Sequence, residues 1–353
     1  MKKIVLHAAT FDTFWAHYYV NKDKDFIDKL ESLGYQIYQS DQMDLLNADI
    51  ILFSEATSVG LERLSLLHKI KHIARILLRR TSIKSRDIYA ECQSNRLFDK
   101  TALIVAEGII HMPENHTPKL GRMFPVVFTW NDAMVDGKQF FKYRIPQPVQ
   151  WPKIEMVHFR DKKLLVNISA NKFSSHPLEL YSTRRASIEY FDQNFSDQFE
   201  LYGIGWNEHK SASYHNSFMK TRDKLYSSYK GLVKSKSDIF PKFKFALCYE
   251  NNVAPGYITE KVFDCMRSDC VPIYLGAPNI DDYLPPDTFI DRRQFSSDNQ
   301  LADFIKNIDE IKYEHYRDSI SAYLSSNQFS PFLCTSYAET IVNIIENKSK
   351  MIL

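Results

Sequence analysis

The sequence has 353 residues, with 45 lysine and arginine and 43 aspartate and glutamate side chains, giving a formal net charge of +2. This balance lacks the basic excess of nucleic-acid-binding proteins, so we expect no nucleic-acid partner. Hydrophobic residues make up 44% and charged residues 25%, which is typical of a globular protein and not of a disordered one. The length favours two domains over a single core.

The N-terminal stretch predicts neither a signal peptide nor a membrane anchor. The apolar run after Lys3 is much shorter than the roughly 7–15 residues of a signal-peptide core, and no run approaches the roughly 18 residues of a membrane span. The five cysteines show no CxxC spacing, which indicates neither a disulfide framework nor a zinc site. We therefore expect a cytoplasmic protein, and the oligomeric state cannot be predicted.

The first part of the chain alternates short β-branched runs with helical periods, the pattern of a parallel sheet. Residues 1–150 are predicted to form one domain, which ends in the proline-rich stretch 145–152. Proline lacks the backbone donor that a helix interior or central strand needs, so this stretch is interpreted as a hinge. The predicted strands are 3–8, 49–54, 102–106 and 126–130, and the predicted helices are 22–33 and 61–80.

The segment 61–86 carries eight lysine and arginine residues and one glutamate on a helix with an apolar period. A polybasic helix of this kind gains about 1 kcal/mol per positive charge at an anionic membrane surface. Peripheral contact with the inner face of a membrane is therefore one interpretation. A solvated face of a domain helix is the other, and few aromatic residues accompany the charges.

The pattern begins again after the hinge, which predicts a second domain over 151–330 and a C-terminal helix over 331–353 that packs back on the first domain. The fold class is therefore α/β, with two doubly wound Rossmann-like domains facing a central cleft. In such sheets ligands bind beyond the carboxyl ends of the strands. The predicted strands are 164–169, 199–203, 244–250, 271–275 and 287–291, and the predicted helices are 183–193, 259–268, 298–324 and 334–348.

The segment 242–276 is predicted to form a strand, a loop, a helix and a second strand. Thr259 is the candidate N-cap of that helix. A helix N-terminus offers unpaired N–H groups to a diphosphate, and Lys261 adds a full positive charge. No GxGxxG or GxxxxGK[ST] loop occurs in the sequence, which argues against a dinucleotide-dependent dehydrogenase or a P-loop kinase.

This segment resembles glycosyltransferase family 10, the α-1,3/4-fucosyltransferases. The family motifs are matched by FALCYEN (245–251), GYITEKVFD (256–264), VPIYLGAPNIDDYLP (271–285) and TFIDRRQF (288–295). The resemblance implies a fold of the GT-B type, with an N-terminal domain that binds the acceptor and a C-terminal domain that binds a GDP-sugar donor.

The resemblance also implies roles for individual residues. Asn251, Tyr257, Glu260 and Lys261 occupy the donor-binding positions of the family, with Lys261 and Tyr257 beside the diphosphate and Glu260 accepting from hydroxyl groups of ribose or sugar. The family further places an arginine at the start of a helix early in the donor domain. In STRRASIEYF (182–191) the apolar spacing favours Arg184, and Arg185 remains the alternative.

The general base is expected among strand-end carboxylates of the first domain. The resemblance implies a glutamate at the end of a strand, followed by a loop with proline, and Glu107 in ALIVAEGIIHMPENHTP (102–118) fits. Asp132 also ends a strand and is the rival. His7, His17 and His111 are suitable by chemistry, although single histidines usually have structural or exposed positions.

The function implied is transfer of L-fucose from GDP-β-L-fucose to a hydroxyl group of an oligosaccharide or lipid-linked glycan, with inversion and an α-1,3-type linkage. No cofactor is required, GDP-fucose is the co-substrate, and a divalent cation is at most stimulatory. No metal ligands are predicted, because the donor segment has no DxD motif and Asp281 and Asp282 are interpreted as capping residues. Two alternatives stay open: transfer from another nucleotide-linked sugar, and a catalytically silent nucleotide- or carbohydrate-binding protein.

Overall fold

The computed structural model describes residues 1–8, 24–59, 87–207 and 225–352. The chain divides into two compact units: an N-terminal unit, Met1–Val149 with Pro331–Leu353, and a C-terminal unit, Gln150–Ser330. The predicted basic segment 61–86 and His17 lie outside the described residues.

The N-terminal unit is built on a six-stranded parallel sheet with the order β2-β1-β3-β4-β5-β6. Its central strands are apolar at nearly every position because both faces of the sheet are covered. The sequence pattern missed β2, whose apolar residues alternate with glutamines, and the three-residue edge strand β6. The strands are β1 (Lys2–Ala8), β2 (Tyr35–Gln39), β3 (Ile50–Ser54), β4 (Thr101–Val105), β5 (Val127–Thr129) and β6 (Phe140–Lys142).

Three described helices belong to this unit: α1 (Lys24–Ser32), α2 (Ile88–Ser94) and α7 (Cys334–Ile352). The C-terminal helix α7 packs on α1, where the rings of Phe26 and Tyr337 stack with centroids 5.7 Å apart. An ion pair between Lys29 and Glu339 joins the same two helices. The last residues of the chain therefore complete the N-terminal unit.

The C-terminal unit is built on a five-stranded parallel sheet with the order β11-β10-β9-β7-β8. Its helices are α3 (Tyr181–Asn194), α4 (Glu260–Met266), α5 (Asp298–Lys306) and α6 (Glu310–Leu324). Its strands are β7 (Lys163–Ile168), β8 (Phe199–Tyr202), β9 (Phe243–Tyr249), β10 (Val271–Leu275) and β11 (Ile290–Asp291).

Two predicted elements of this unit are wrong in extent. The strand predicted over 287–291 is reduced to β11, because Pro286–Thr288 forms a 3₁₀ turn after two consecutive prolines. The helix predicted over 298–324 is two helices, because Asp309 starts α6 anew and accepts a hydrogen bond from the Lys312 N–H at 2.8 Å.

In both sheets the strand order reverses beside the first strand of the unit. In the N-terminal sheet β1 lies between β2 and β3, and in the C-terminal sheet β7 lies between β8 and β9. The prediction of two doubly wound parallel sheets is confirmed. Ligands in such sheets bind at the carboxyl edge near this reversal, where Glu55 follows β3 and Glu250 follows β9. Among the described residues, no helix has both the length and the apolar character needed to cross a membrane.

Candidate functional site

A fully buried glutamate, Glu250, organises the carboxyl edge of the C-terminal sheet. Its Oε1 atom accepts the Thr259 N–H at 2.8 Å, and its Oε2 atom accepts the Thr259 hydroxyl at 2.8 Å. The Lys261 ammonium lies 3.1 Å from the same Oε2 atom. Because a buried carboxylate must be paired, Glu250 draws the start of α4 onto the end of β9.

These contacts change the expected role of Thr259. It occupies the N-cap position of α4, but its side chain accepts no capping hydrogen bond, since the hydroxyl donates to Glu250. Its backbone N–H also donates to Glu250. Thr259 is therefore the N-cap residue, as predicted, but its side chain does not cap the helix, and the first N–H at this turn already has an acceptor.

Lys261 remains a charged donor at this edge. Burial opposes its charge, but Glu250 and Glu260 outweigh burial and raise the pKa of the ammonium group. Of its three N–H donors, one has Glu250 within reach and one the Thr259 hydroxyl at 3.0 Å. Its side chain is 22% exposed, so Lys261 is not sealed from solvent.

Arg184, in the first turns of α3, lies beneath the same loop with 4% exposure. Its Nη2 atom donates to the carbonyl oxygens of Tyr249 at 2.6 Å and Glu250 at 2.8 Å. It also lies 3.4 Å from the Asn251 side-chain oxygen. Burial lowers the pKa of the guanidinium, which stays charged because the ordinary pKa of arginine is so high. Arg184 therefore shapes the loop that carries Asn251.

Arg185 points elsewhere, toward the loop that follows β7. Its guanidinium stacks on Phe173 at 3.9 Å from the ring centroid and donates to the Lys172 carbonyl at 2.6 Å. Of the two adjacent arginines, only Arg184 contacts the residues around Glu250.

Glu260 and Tyr257 flank the same turn. Partial burial opposes ionisation of Glu260, but Lys261 and Lys236 outweigh it and lower the pKa of the carboxyl to about 2. Lys236, which the sequence reasoning missed, lies 3.9 Å from Glu260 and 2.6 Å from Asp264. Tyr257 is 3% exposed, and its carbonyl accepts the Tyr274 hydroxyl at 3.2 Å.

The glycine of the YLG sequence after β10 allows this close packing. A Cβ atom at Gly276 would lie 2.5 Å from Cγ of Glu250 and 2.5 Å from the Tyr274 hydroxyl. Any larger residue would therefore push the loop away from Glu250. The motif glycine is explained by close approach of the backbone and not by its backbone angles.

Glu107 follows β4 at the carboxyl edge of the N-terminal sheet, and its side chain is 37% exposed. Its Oε2 atom lies 3.5 Å from Nδ1 of His111, and its carbonyl lies 3.0 Å from Nε2 of His116. Burial lowers the pKa of His116, so the neutral ring donates from Nε2 to this carbonyl. Nδ1 then accepts from Asn131, 3.4 Å away.

Asp132, the rival base, belongs to an ion pair. Its Oδ1 atom lies 2.7 Å from the Lys142 ammonium, which also donates to the Trp130 carbonyl at 2.7 Å. An ion-paired carboxylate is a weaker base than one without a cation beside it. His7 is also engaged, since its Nδ1 atom lies 2.9 Å from the Ser40 hydroxyl.

The sequence reasoning missed two buried glutamates, Glu55 and Glu250, as organising residues. The available signal was a charged residue directly after a fully apolar strand, a position where an unpaired carboxylate would be costly. The described residues contain no group of three or more histidine, cysteine or acidic side chains arranged to hold a metal ion. Asp281, interpreted from sequence as a cap, lies 3.7 Å from Arg293.

The fold of the chain resembles that of solved two-domain glycosyltransferases. A solved α1,3-fucosyltransferase with GDP aligns with a TM-score of 0.55 over 98% of this chain and 90% of that chain, at 14% identity. T4 phage BGT in complex with UDP-glucose aligns with a TM-score of 0.51 over 98% of this chain and 99% of that chain, at 11% identity. At these identities the likeness concerns the fold alone.

The sequence comparisons are narrower and more specific. Residues 206–335 match the model of glycosyltransferase family 10 (fucosyltransferase), C-terminal region, so the resemblance to family 10 is confirmed over these residues. An α-(1,4)-fucosyltransferase of Arabidopsis thaliana is 41% identical over 76 residues, 21% of this chain and 19% of the relative.

A 4-galactosyl-N-acetylglucosaminide 3-α-L-fucosyltransferase of Mus musculus is 32% identical over 131 residues, 34% of this chain and 36% of the relative. The chain thus matches between about a fifth and about a third of the length of these two relatives.

Proposed function

We propose that this protein transfers L-fucose from GDP-β-L-fucose to a hydroxyl group of a glycan acceptor, with inversion at the anomeric carbon and an α-1,3-type linkage. The observation that carries the proposal is the cluster at the carboxyl edge of the C-terminal sheet. Asn251 and Tyr257 lie on the loop after β9, Glu260 and Lys261 lie in the first turn of α4, and Asn251 lies 3.4 Å from Arg184. All four loop and helix residues are inside the region that matches family 10.

The donor diphosphate is assigned to this edge. Lys261 is charged and not sealed from solvent, and Arg184 adds a second positive charge below Asn251. As the sugar leaves, negative charge grows on the diphosphate, and a preorganised donor of this kind typically contributes about 10²–10³ in rate. Glu260, held ionised by Lys261 and Lys236, is suited to accept hydrogen bonds from ribose or sugar hydroxyls. Arg185 is the weaker candidate, because Phe173 and Lys172 already engage it.

Glu107 is assigned as the general base. It is half-exposed at a carboxyl edge, whereas the rival Asp132 pairs with Lys142. In a direct displacement, the acceptor oxygen attacks the anomeric carbon while its proton passes to the Glu107 carboxylate, and the bond to the GDP oxygen breaks. No covalent enzyme intermediate is needed. A positioned base typically contributes about 10²–10⁴ in rate.

The test of this function is donor turnover and GDP binding by the wild-type protein. GDP-fucose should be consumed in preference to GDP-mannose, UDP-glucose and dTDP-rhamnose, with a 4-galactosyl-N-acetylglucosaminide as the first acceptor because a relative is named for it. The anomeric configuration of the product should be α by NMR. Preferred turnover of another nucleotide sugar would overturn the choice of fucose, and absence of heat on titration with GDP would overturn the donor site.

The natural acceptor is proposed by class only, as an oligosaccharide or a lipid-linked glycan. A cytoplasmic position at the inner face of a membrane would suit a lipid-linked acceptor, and the basic segment 61–86 motivates that part of the proposal. Co-flotation with vesicles that contain phosphatidylserine tests it. Equal recovery with neutral vesicles would remove the membrane contact.

A further inference from the structure

The N-terminal unit contains a buried glutamate that the proposed reaction does not use. Glu55 directly follows β3, is 0% exposed and has a left-handed backbone with φ of 66°. Non-glycine residues adopt this conformation at a cost, so surrounding contacts must hold it. The Glu55 N–H donates to the Ile104 carbonyl at 2.8 Å, which fixes the residue against β4.

The carboxyl group of Glu55 is directed at the backbone that carries Glu107. Its Oε1 atom accepts the N–H of Ala106 at 3.1 Å and the N–H of Glu107 at 3.1 Å. Its Oε2 atom accepts from the side-chain amide of Asn115. The Asn115 side-chain oxygen in turn accepts the Ala56 N–H at 2.8 Å, so the two side chains close a ring of hydrogen bonds.

Other contacts complete the support of this short segment. The Ala106 carbonyl accepts from the indole of Trp130 at 2.9 Å, and the Glu107 carbonyl faces His116. Both N–H groups and both carbonyl groups of Ala106 and Glu107 thus have partners. The Glu107 side chain, whose Oε2 atom lies 3.5 Å from Nδ1 of His111, is 37% exposed.

We propose that Glu55 is a positioning residue that, through Ala106, Glu107 and Asn115, holds the end of β4 so that the Glu107 carboxylate faces the acceptor. The inference rests on the proposed role of Glu107 as general base. Glu55 does not contact the reacting atoms in this arrangement. It acts through the backbone of Glu107, since a misplacement of about 1 Å in a reacting group can cost 10²-fold in rate.

Two substitutions separate geometry from charge. Glu55→Asp keeps the carboxyl group but withdraws it by one methylene from the two N–H groups. Glu55→Gln keeps an oxygen at the Oε1 position but turns its amide N–H groups toward the amide N–H groups of Asn115. It is therefore combined with Asn115→Asp. One carboxylate oxygen of that aspartate can accept from the glutamine amide, and the other can accept the Ala56 N–H. Glu31→Gln, on the exposed face of α1, is the matched control.

Two readouts are measured on the full chain. The first is hydrogen exchange of the peptide that contains Ala106 and Glu107, which needs no activity. The second is the set of kcat and KM for GDP-fucose with a 4-galactosyl-N-acetylglucosaminide, together with the Kd of GDP. For Glu55→Asp we expect at least tenfold faster exchange and a fall in kcat of about 10²-fold, with the Kd of GDP within twofold of wild type.

For Glu55→Gln with Asn115→Asp we expect wild-type exchange and a kcat within about threefold of wild type. Unchanged exchange in Glu55→Asp, or faster exchange with unchanged kcat, would overturn the positioning role alone. If Glu55→Asp kept the wild-type kcat while Glu55→Gln with Asn115→Asp lost it, the charge of Glu55 and not its position would be what matters. A wild type that transfers no sugar would instead overturn the proposed function, and the exchange result would show separately whether Glu55 holds the segment.

Discussion

The carboxyl edges of the two sheets each contain a buried glutamate, and the two glutamates differ in the partners of their carboxyl groups. In each sheet a fully buried glutamate follows the strand next to the reversal of strand order, Glu55 after β3 and Glu250 after β9. Glu250 is paired with the Lys261 cation, whereas the Glu55 carboxyl group, among the described residues, accepts from two backbone N–H groups and an amide.

This difference in partners has a physical consequence. Although burial opposes its charge, Glu250 and Glu260 raise the pKa of the Lys261 ammonium group, which therefore carries a positive charge at the C-terminal edge. A carboxyl group without a cation is disfavoured as an anion: burial, reinforced by the Glu107 charge, raises the pKa of Glu55 to about 8. We therefore propose the C-terminal edge as the site of an anionic ligand and the N-terminal edge as the site of the base. The two glutamates thus share a position in the fold, and they differ in the groups that contact their carboxyl oxygens.

The largest effect is expected at the base. Glu107→Gln removes the proton acceptor but keeps the shape, so kcat should fall by about 10²–10⁴-fold. The Kd of GDP, measured by calorimetry, should stay within twofold of wild type, because the proposed donor site lies in the other unit. A Glu107→Gln variant with a kcat near that of wild type would break the assignment of the two edges.

The next effect is expected at Lys261. Lys261→Ala should weaken GDP binding by about 10–100-fold, since hydrogen bonds to charged groups contribute about 1.5–3 kcal/mol. This change also leaves Glu250 buried without its cation. The double variant Lys261→Met with Glu250→Gln removes both charges, and we expect its GDP binding to be weakened as well. Lys163→Ala, at the start of β7 and paired with Glu200 on the surface, is the control. An unchanged Kd in both Lys261 variants would exclude this edge as the diphosphate site.

A smaller effect is expected in the pH dependence of stability. Since Glu55 binds its proton more tightly in the folded state, its contribution is present below the unfolded pKa of about 4.5 and is lost as the pH rises through about 8. Tyr337 and Glu107 are the titratable groups that interact with it. In urea unfolding, the free energy of unfolding should fall more between pH 5 and pH 8 for the wild type than for Glu55→Gln. With about 1.4 kcal/mol per pKa unit, the two proteins should differ in this loss of unfolding free energy by on the order of a few kcal/mol. An equal loss in both proteins would contradict the prediction.

The smallest effect is expected at Asp132. Asp132→Asn removes the ion pair with Lys142, and partly exposed pairs contribute about 0–1 kcal/mol. The kcat should stay within about threefold of wild type in the same transfer assay. A loss comparable with that of Glu107→Gln would move the general base from the end of β4 to the end of β5.

The amino-acid sequence by itself determined the alternation of strands and helices, and so the α/β class. The largely apolar runs 244–250 and 271–275 predict strands, because strands buried on both faces need an apolar residue at nearly every position. It also determined the family motif around Lys261, since those residues are contiguous. It could not show β2 or β6, because short edge strands have few buried positions and their pattern resembles a loop.

Only the tertiary structure decided which charged groups meet. That Arg184 and not Arg185 contacts the end of β9 depends on the rotation of α3 against β9. The pairing of Asp132 with Lys142 depends on neighbouring strands. The link from Glu55 to the backbone of Glu107 spans 52 residues of sequence. Such contacts are invisible to local patterns, because strand order and strand ends, and not sequence distance, bring their members together.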